Sequence, residues 1–514
     1  MKIPIIDLFA GPGGLGEGFS SYTNSSTNPF KIALSIEKDP GAHETLKTRA
    51  LFRQFNNEIP EEYYEFLRSD RSGFSEYLDS SGLFKDQIRN AELEAQNLEL
   101  GPDNNHIENL IRNSLKRNRD FVLVGGPPCQ TFSNIGKSRM KHIEGFELDD
   151  RHTLYEHFIS TVSTFQPSVF VLENVPGILT AVHNGKKVFE LIRKYLCNHD
   201  TVGYGGNGKS LRYKIFSFTG AENSYLPELA ELEPSDFIIK SEKFGIPQAR
   251  HRVILLGIRN DLGVDPDHSM ILKESRKFST EDAIKDLPKR RSPIKSNDNF
   301  ENWKSVLKEL PELIPNFLPE VNEELNNLLA NLEERKRELK IGARFIEKKL
   351  SKERGSSKFL KDNWEWFHDE RIGGVINYET RPHIIGDLQR YLWCSTYAKV
   401  KNKSPRLNDF PEKIYPDHKN PWPDAFKVQL RKKPSNTITS HISRDGHYFI
   451  HYDPLQCRSF TVREAARIQT FPDNYFFEGK LTNQRKQVGN AVPPLLARKL
   501  AHIVFQIIKK SGKY

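Results

Sequence analysis

An apolar run from Ile3 to Leu8 breaks into a glycine-rich turn, Ala10-Gly11-Pro12-Gly13-Gly14-Leu15-Gly16, and resumes as a helical pattern through Phe19. Strand, tight turn and helix in that order leave few folds open, because the unit belongs to sheets whose helices cover both faces. A second strand, Ile32 to Ile36, ends at Glu37, and further strands are predicted at Phe121 to Val124, Val169 to Leu172 and Val253 to Ile258, with helical stretches between several of them. The expectation is a parallel, doubly wound α/β sheet of the Rossmann-like kind, with its ligand site at the carboxyl ends of the strands.

Length and charge bound the rest. The 514 residues exceed what one hydrophobic core usually supports, so a second domain is expected. The net charge of +9 suits a partner that carries phosphates, and equally suits solubility. Cys129, Cys197, Cys394 and Cys457 show neither C-x-x-C spacing nor partner histidines, so no metal site and no disulfide framework are expected. No uninterrupted apolar run reaches membrane-span length, and a strand beginning by residue 5 leaves no room for a signal peptide, so a soluble protein of a reducing compartment is expected.

The chain divides by pattern. Residues 1–261 carry the strand and helix alternation, interrupted at about 50–110 by a charged, partly helical insert in which no chemistry is legible. Residues 262–435 are basic and punctuated by proline, with one long helix marked by Val321, Leu325, Leu328, Leu332 and Leu339, read as an apolar stripe packing on the domain. Residues 436–514 return to compact signals and are expected to rejoin the first domain.

Gly11, Gly13 and Gly16 satisfy G-x-G-x-x-G between a strand and a helix, and Glu37 supplies a carboxylate able to accept hydrogen bonds from both ribose hydroxyls of an adenosine. The motif alone does not separate a dinucleotide from another adenosine-bearing cofactor, and such turns also occur without a ligand. Cys129 follows the predicted strand 121–124 on the loop Gly125-Gly126-Pro127-Pro128, where two prolines hold a thiol rigidly at the sheet edge. The next strand delivers Glu173 to that edge, in Leu172-Glu173-Asn174-Val175, and Arg250 and Arg252 in Gln248-Ala249-Arg250-His251-Arg252 alternate so as to face one side.

This ordered set of motifs resembles the cytosine-5 DNA methyltransferase family of bacterial restriction and modification systems. The matching blocks are Asp7-Leu8-Phe9-Ala10-Gly11-Pro12-Gly13-Gly14, Pro128-Cys129-Gln130 with Phe132-Ser133, Glu173-Asn174-Val175, Gln248-x-Arg250-x-Arg252, Arg463-Glu464-Ala465-Ala466-Arg467 and Gly489-Asn490-Ala491-Val492. The resemblance implies an S-adenosylmethionine-dependent methyltransferase domain, 1–261 closed by 436–514, plus a smaller target recognition domain at 262–435.

It also implies roles. Cys129 would attack carbon 6 of a cytosine flipped out of double-stranded DNA, Glu173 would hold the N3 edge and amine, Arg252 the O2 side, and Arg250 the same pocket or a phosphate. Phe9, Gly11, Pro12, Gly14, Glu37, Pro128, Leu154, Asn490 and Val492 would surround S-adenosylmethionine. The family's acidic contact to the adenine amine has no counterpart near Asn105-His106-Ile107, so that contact stays unassigned. Lys137, Arg139 and Lys141 are candidates for phosphate contacts.

A cognate restriction endonuclease acting on the same site, a monomeric state, and the bacterial cytoplasm beside the nucleoid are expected with it. An RNA cytosine-5 methyltransferase and a catalytically silent DNA-binding protein of the same fold are the alternatives. The large variable segment favours DNA, because duplex readout needs a module entering the major groove.

Overall fold

The computed structural model describes residues 2–513 except 26, 57, 71–72, 80–81, 102–104, 117, 129–153, 184, 198–211, 221–232, 316, 336, 354 and 417–422. Cys129, Lys137, Arg139 and Lys141 therefore lie outside the described residues.

Eight strands build the central sheet: β1 (Ile3–Leu8), β2 (Phe30–Glu37), β3 (Ala95–Asn97), β4 (Val122–Gly125), β5 (Val169–Asn174), β6 (Tyr213–Ser217), β7 (Ile238–Lys240) and β8 (His251–Arg259). Their order is β3-β2-β1-β4-β5-β8-β6, with β7 paired to β8. Strands β3, β2, β1, β4 and β5 are parallel, as expected.

The expectation of a parallel sheet throughout is corrected at β8, which runs antiparallel to β5, β6 and β7. Apolar periodicity carries no direction. Only the connection does, and the link through Ser241–Phe244 between β7 and β8 is shorter than the crossover a parallel pair requires, which sets those two strands antiparallel. The reversal has a functional consequence. Strand β8 begins at the edge where β4 and β5 end, with Val253 opposite Asn174 and Ile254 opposite Glu173.

Helices α1 (Gly14–Ser20), α2 (Pro40–Gln54), α3 (Asn105–Leu115), α4 (Leu154–Phe165), α5 (Val188–Cys197), α6 (Pro319–Glu333), α7 (Ile385–Lys401), α8 (Leu481–Asn490) and α9 (Pro494–Lys510) are the ones that frame the sheet and the site. Because neighbouring strand residues point to opposite faces, the core divides in two. Ile6, Leu8, Leu34, Ile36 and Leu123 pack with α3, α4 and α5 on one face. Ile5, Ile32, Val122 and Val124 pack with Leu15 and Phe19 of α1 and Leu496, Leu500 and Val504 of α9 on the other. Within Leu481–Lys510 an 18-residue window has the mean hydropathy of a membrane span, and 78% of that window is buried within the fold.

The insert at 50–110 forms an aromatic-rich core of Tyr63, Phe66, Leu67 and Phe74 with Leu46, Leu51, Ile376 and Phe476, so it braces α2 against the C-terminal segment. Residues 262–435 divide. Trp303, Leu307, Val321, Leu325, Leu332, Leu388 and Trp393, from α6, α7 and their neighbours, make a core of their own. Ala283, Ile284, Leu287, Phe359, Leu360, Phe367, Val375 and Tyr378 instead join the core that holds the sheet. The stripe on α6 is buried as expected, but the helix ends at Glu333, and Leu339, 2% exposed, is buried from the loop beyond. The helical face lapses into charge at Arg335, which removes the packing that would carry it further.

Candidate active site

The turn after β1 is built on left-handed backbone. Gly11 (φ 58°) and Gly13 (φ 91°) adopt it freely, whereas Phe9 (φ 56°) does so at a cost that a side chain meets only where the surroundings enforce it. A Cβ on Gly11 would meet nothing within 4 Å, while one on Gly14 would lie 2.2 Å from the Val492 carbonyl oxygen. The loop is thus open at Gly11 and pressed against the C-terminal segment at Gly14. Glu37, at the end of β2, accepts the amides of Gly11 and Asp39 at 2.7 Å each, and burial pushes its carboxyl up. A turn open at Gly11 beside a carboxylate at the end of the next strand is the arrangement that suits an adenosine-bearing cofactor.

Glu173 lies one residue before the end of β5, 9% exposed. Arg252, at the start of β8, places Nε 2.9 Å from its Oε1. Gly126 borders this pocket: a Cβ there would stand 2.8 Å from Glu173 Oε2 and push the carboxylate aside. Asn174 anchors the loop that leads to Cys129: its Nδ2 donates to the Pro127 carbonyl at 3.3 Å, and its Oδ1 accepts the Val175 amide.

The two arginines that alternation assigns to one face do different things. Arg250 is fully buried and donates to the carbonyls of Ile438 (2.8 Å), Gly489 (3.2 Å) and Asn490 (3.5 Å). Burial, and then the neighbouring Arg252, push it well below the usual arginine range. Its hydrogen bonds hold the C-terminal segment. Gln248 assists, its Oε1 accepting the Ile438 amide and its Nε2 donating to Gln469.

Of the remaining expected residues, Pro128 and Asn490 are exposed, Pro12 and Val492 are buried, and Leu154 opens α4 half-buried. Glu173, Arg252 and Pro127 converge on one edge of the sheet, and Phe9, Gly11, Gly14, Glu37 and Val492 on the turn beside it.

Four contributors escaped the sequence reading. Asn174 was within a recognised block but had no role. Asp7 is fully buried with neither carboxylate oxygen hydrogen-bonded among the described residues, and burial pushes its carboxyl up to about 8. Tyr475 donates its hydroxyl to the Pro12 carbonyl, reaching the turn across more than four hundred residues of chain. Asn97 ends β3 beside Glu37 and donates to the carbonyls of Glu37 and Lys38, so the strand end next to Glu37 lies here and not at 105–107, where α3 begins. Asp7 stands in a matching block and is a charged residue inside an apolar strand, but neither signal gave it a role; long-range contacts leave no signal.

The pattern of the C-5 cytosine-specific DNA methylase family matches residues 95–219 and 228–506. A type II methyltransferase of Bacillus paralicheniformis, M.Bpa9945I, is 33% identical over 522 aligned residues that cover 98% of this chain and 99% of the relative. M.DdeI, a type II methyltransferase of Desulfomicrobium norvegicum, is 26% identical and covers 97% of this chain and 87% of its own. In fold, the chain is similar to the crystal structure of a protein assigned to the DNA modification methyltransferases and encoded in an Escherichia coli prophage, with TM-score 0.56, 18% identity, and coverage of 99% and 100%. The chain belongs to the C-5 cytosine-specific DNA methylases and is a DNA (cytosine-5-)-methyltransferase whose cofactor is S-adenosylmethionine.

Proposed function

We propose that this enzyme methylates a cytosine swung out of a specific duplex sequence, with Cys129 as covalent nucleophile, and that it is the modification enzyme of a type II restriction system. The observation that carries the reading is the Arg252–Glu173 pair at 2.9 Å, set on the edge to which Asn174 ties the Pro127 carbonyl, two residues before Cys129. Glu173 accepts from the amine and supports N3 of the base, Arg252 donates to O2, and the Cys129 thiolate bonds to carbon 6, which makes carbon 5 nucleophilic. Bound S-adenosylmethionine supplies a methyl group on a sulfonium. Glu37 holds the ribose, Phe9, Gly11, Pro12 and Gly14 line the adenosine side, and Pro128, Leu154, Asn490 and Val492 the methionine side. Loss of the carbon 5 proton then releases Cys129.

Residues 262–435 serve as the recognition module, 1–261 with 436–514 as the catalytic unit, and the enzyme acts as a monomer in a bacterial cytoplasm. Its relatives' designation as type II methyltransferases supports a cognate endonuclease that reads the same site. The test is a duplex carrying 5-fluorocytosine at the target, where no proton leaves carbon 5. Wild type forms a denaturant-resistant adduct and Cys129→Ser forms none. A wild-type enzyme that methylates ordinary DNA yet traps no adduct overturns the covalent mechanism.

A further inference from the structure

Beneath the turn after β1 lies a buried quartet of charges to which the catalytic reading gives no task. Arg49 of α2, 6% exposed, forks onto Glu17 of α1, its Nε 2.9 Å from Oε2 and its Nη2 2.5 Å from Oε1. Arg53, one turn further along α2, lies 3.7 Å from Glu17 and donates from Nε to Glu94 at 3.2 Å. Glu94 ends the helix Lys85–Glu94 of the insert. Burial alone would raise the Glu17 carboxyl; the Arg49 guanidinium overrides it and holds the group below the usual carboxylate range.

Arg49 also holds the other wall of the turn. Its Nη1 donates to Asn474 Oδ1 at 3.1 Å, and its guanidinium stands over the Tyr475 ring. The Asn474 carbonyl accepts the hydroxyl of Tyr63, a residue of the insert, at 2.8 Å. Tyr475 in turn donates to the Pro12 carbonyl, and a Cβ on Gly13 would stand 2.9 Å from its hydroxyl. On the side of α1, the Glu17 amide donates to the Gly13 carbonyl at 2.8 Å. One guanidinium is thus bonded both to the helix that leaves the turn and to the neighbour of the tyrosine that caps it. A buried ion pair is a poor device for stability alone, since apolar residues of similar volume often serve as well, and its best-attested use is to fix registry. The planar fork of an arginine meets several oxygens at once in one geometry only. Here that geometry sets the spacing between α1 and Tyr475, with Pro12 and Gly13 held between them.

We infer that Arg49 is a positioning residue for S-adenosylmethionine: with Arg53, Glu94 and Tyr63 it braces the insert against α1 and against Asn474 and Tyr475, and so keeps the turn after β1 in its binding shape without touching the cofactor. The insert thereby acquires a task in cofactor affinity. The inference rests on the reading that this turn receives the cofactor.

The experiment combines calorimetric titration with S-adenosylhomocysteine and initial rates against cofactor concentration. It compares wild type with Arg49→Lys, Asn474→Ala, Tyr475→Phe, the double variant Arg49→Lys/Tyr475→Phe, and Glu37→Ala. Asn474 is partly exposed, so Asn474→Ala, which cuts the same link, folds even where Arg49→Lys does not. Arg49→Lys and Asn474→Ala are expected to bind S-adenosylhomocysteine about tenfold more weakly and to raise KM for the cofactor to match, with kcat at saturation within about twofold of wild type. In the double variant the losses overlap instead of multiplying, because both act on the hold of Tyr475 on Pro12. Unchanged affinity in Asn474→Ala, a fall in kcat without a change in affinity, or losses that multiply overturn the inference and leave Arg49 a structural ion pair. Glu37→Ala reports separately on the cofactor site. If it binds S-adenosylhomocysteine as wild type does, the cofactor reading fails; if it binds weakly while Asn474→Ala keeps full affinity, only the role of Arg49 falls.

Discussion

Glu173 meets Arg252 in a pocket nearly closed to solvent, where, on the proposed mechanism, Arg252 and a proton shared by Glu173 with N3 would stabilise the negative charge that thiolate addition puts on the ring far better than water would. Glu173→Gln is therefore expected to lower the single-turnover methylation rate by roughly 10²- to 10³-fold while DNA affinity changes only a few-fold. Equal losses in rate and affinity would make Glu173 a docking residue. Asp7 invites a different measurement. Its carboxyl is raised by burial to about 8, so the folded protein keeps a proton that the unfolded chain has released. The associated stability is complete below roughly pH 4 and is lost as pH rises through about 8. Thermal midpoints of the ligand-free protein should fall between about pH 4 and 8 more steeply for wild type than for Asp7→Asn, which has no proton to lose, and the difference in slope should vanish above about pH 8.

The helix Val462–Ile468 shows what an element contributes beyond its pattern. The block Arg463-Glu464-Ala465-Ala466-Arg467 reads from the sequence as a family signature without a role. In the fold all three of its charged side chains are buried. Arg463 donates to the carbonyls of Pro472 (2.9 Å) and Tyr475 (2.6 Å), Glu464 pairs with Arg458, and Arg467 binds both Asp473 and Asp286. This fastens the segment that carries Tyr475, whose ring also faces the Arg49 guanidinium at 4.9 Å, under the turn after β1. Tyr475→Phe removes only the hydrogen bond to Pro12, worth about 1 kcal/mol. Calorimetric titration with S-adenosylhomocysteine should show about fivefold weaker binding, with the turnover at saturating cofactor retained. A turnover loss without a change in cofactor affinity would assign Tyr475 elsewhere.

At the scale of the molecule, the segment proposed to read the DNA is not one detachable block. Its helical part, centred on Trp303, Leu325, Leu388 and Trp393, has its own core, whereas Ala283, Ile284, Phe359, Phe367 and Tyr378 belong to the core of the sheet. Exchanging all of 262–435 with a relative would strip the catalytic core of those side chains, and large-to-small or misfitted replacements there cost about 2 to 5 kcal/mol each. Exchanging only 289–339 and 385–434, while keeping 262–288 and 340–384, should preserve folding and move methylation to the relative's site, read by sequencing converted DNA. An active chimera that keeps the original site would place specificity in the insert at 50–110 or in the loop after Cys129.

The N-terminal turn, Glu37 at the end of β2, the strand that carries Glu173 and the proline-held loop before Cys129 were legible in the chain itself, because each depends on a local run: apolar strand, glycine turn, polar residue at the edge. So was the burial of the stripe on α6. The direction of β8 was not, since alternation has no polarity, and it is that direction which brings Arg252 to Glu173. Nor were the division of labour between Arg250 and Arg252 or the hold of Tyr475 on Pro12. Each joins residues far apart in sequence, and local periodicity carries no information about which distant segment will satisfy a buried donor; only the packed chain decides it.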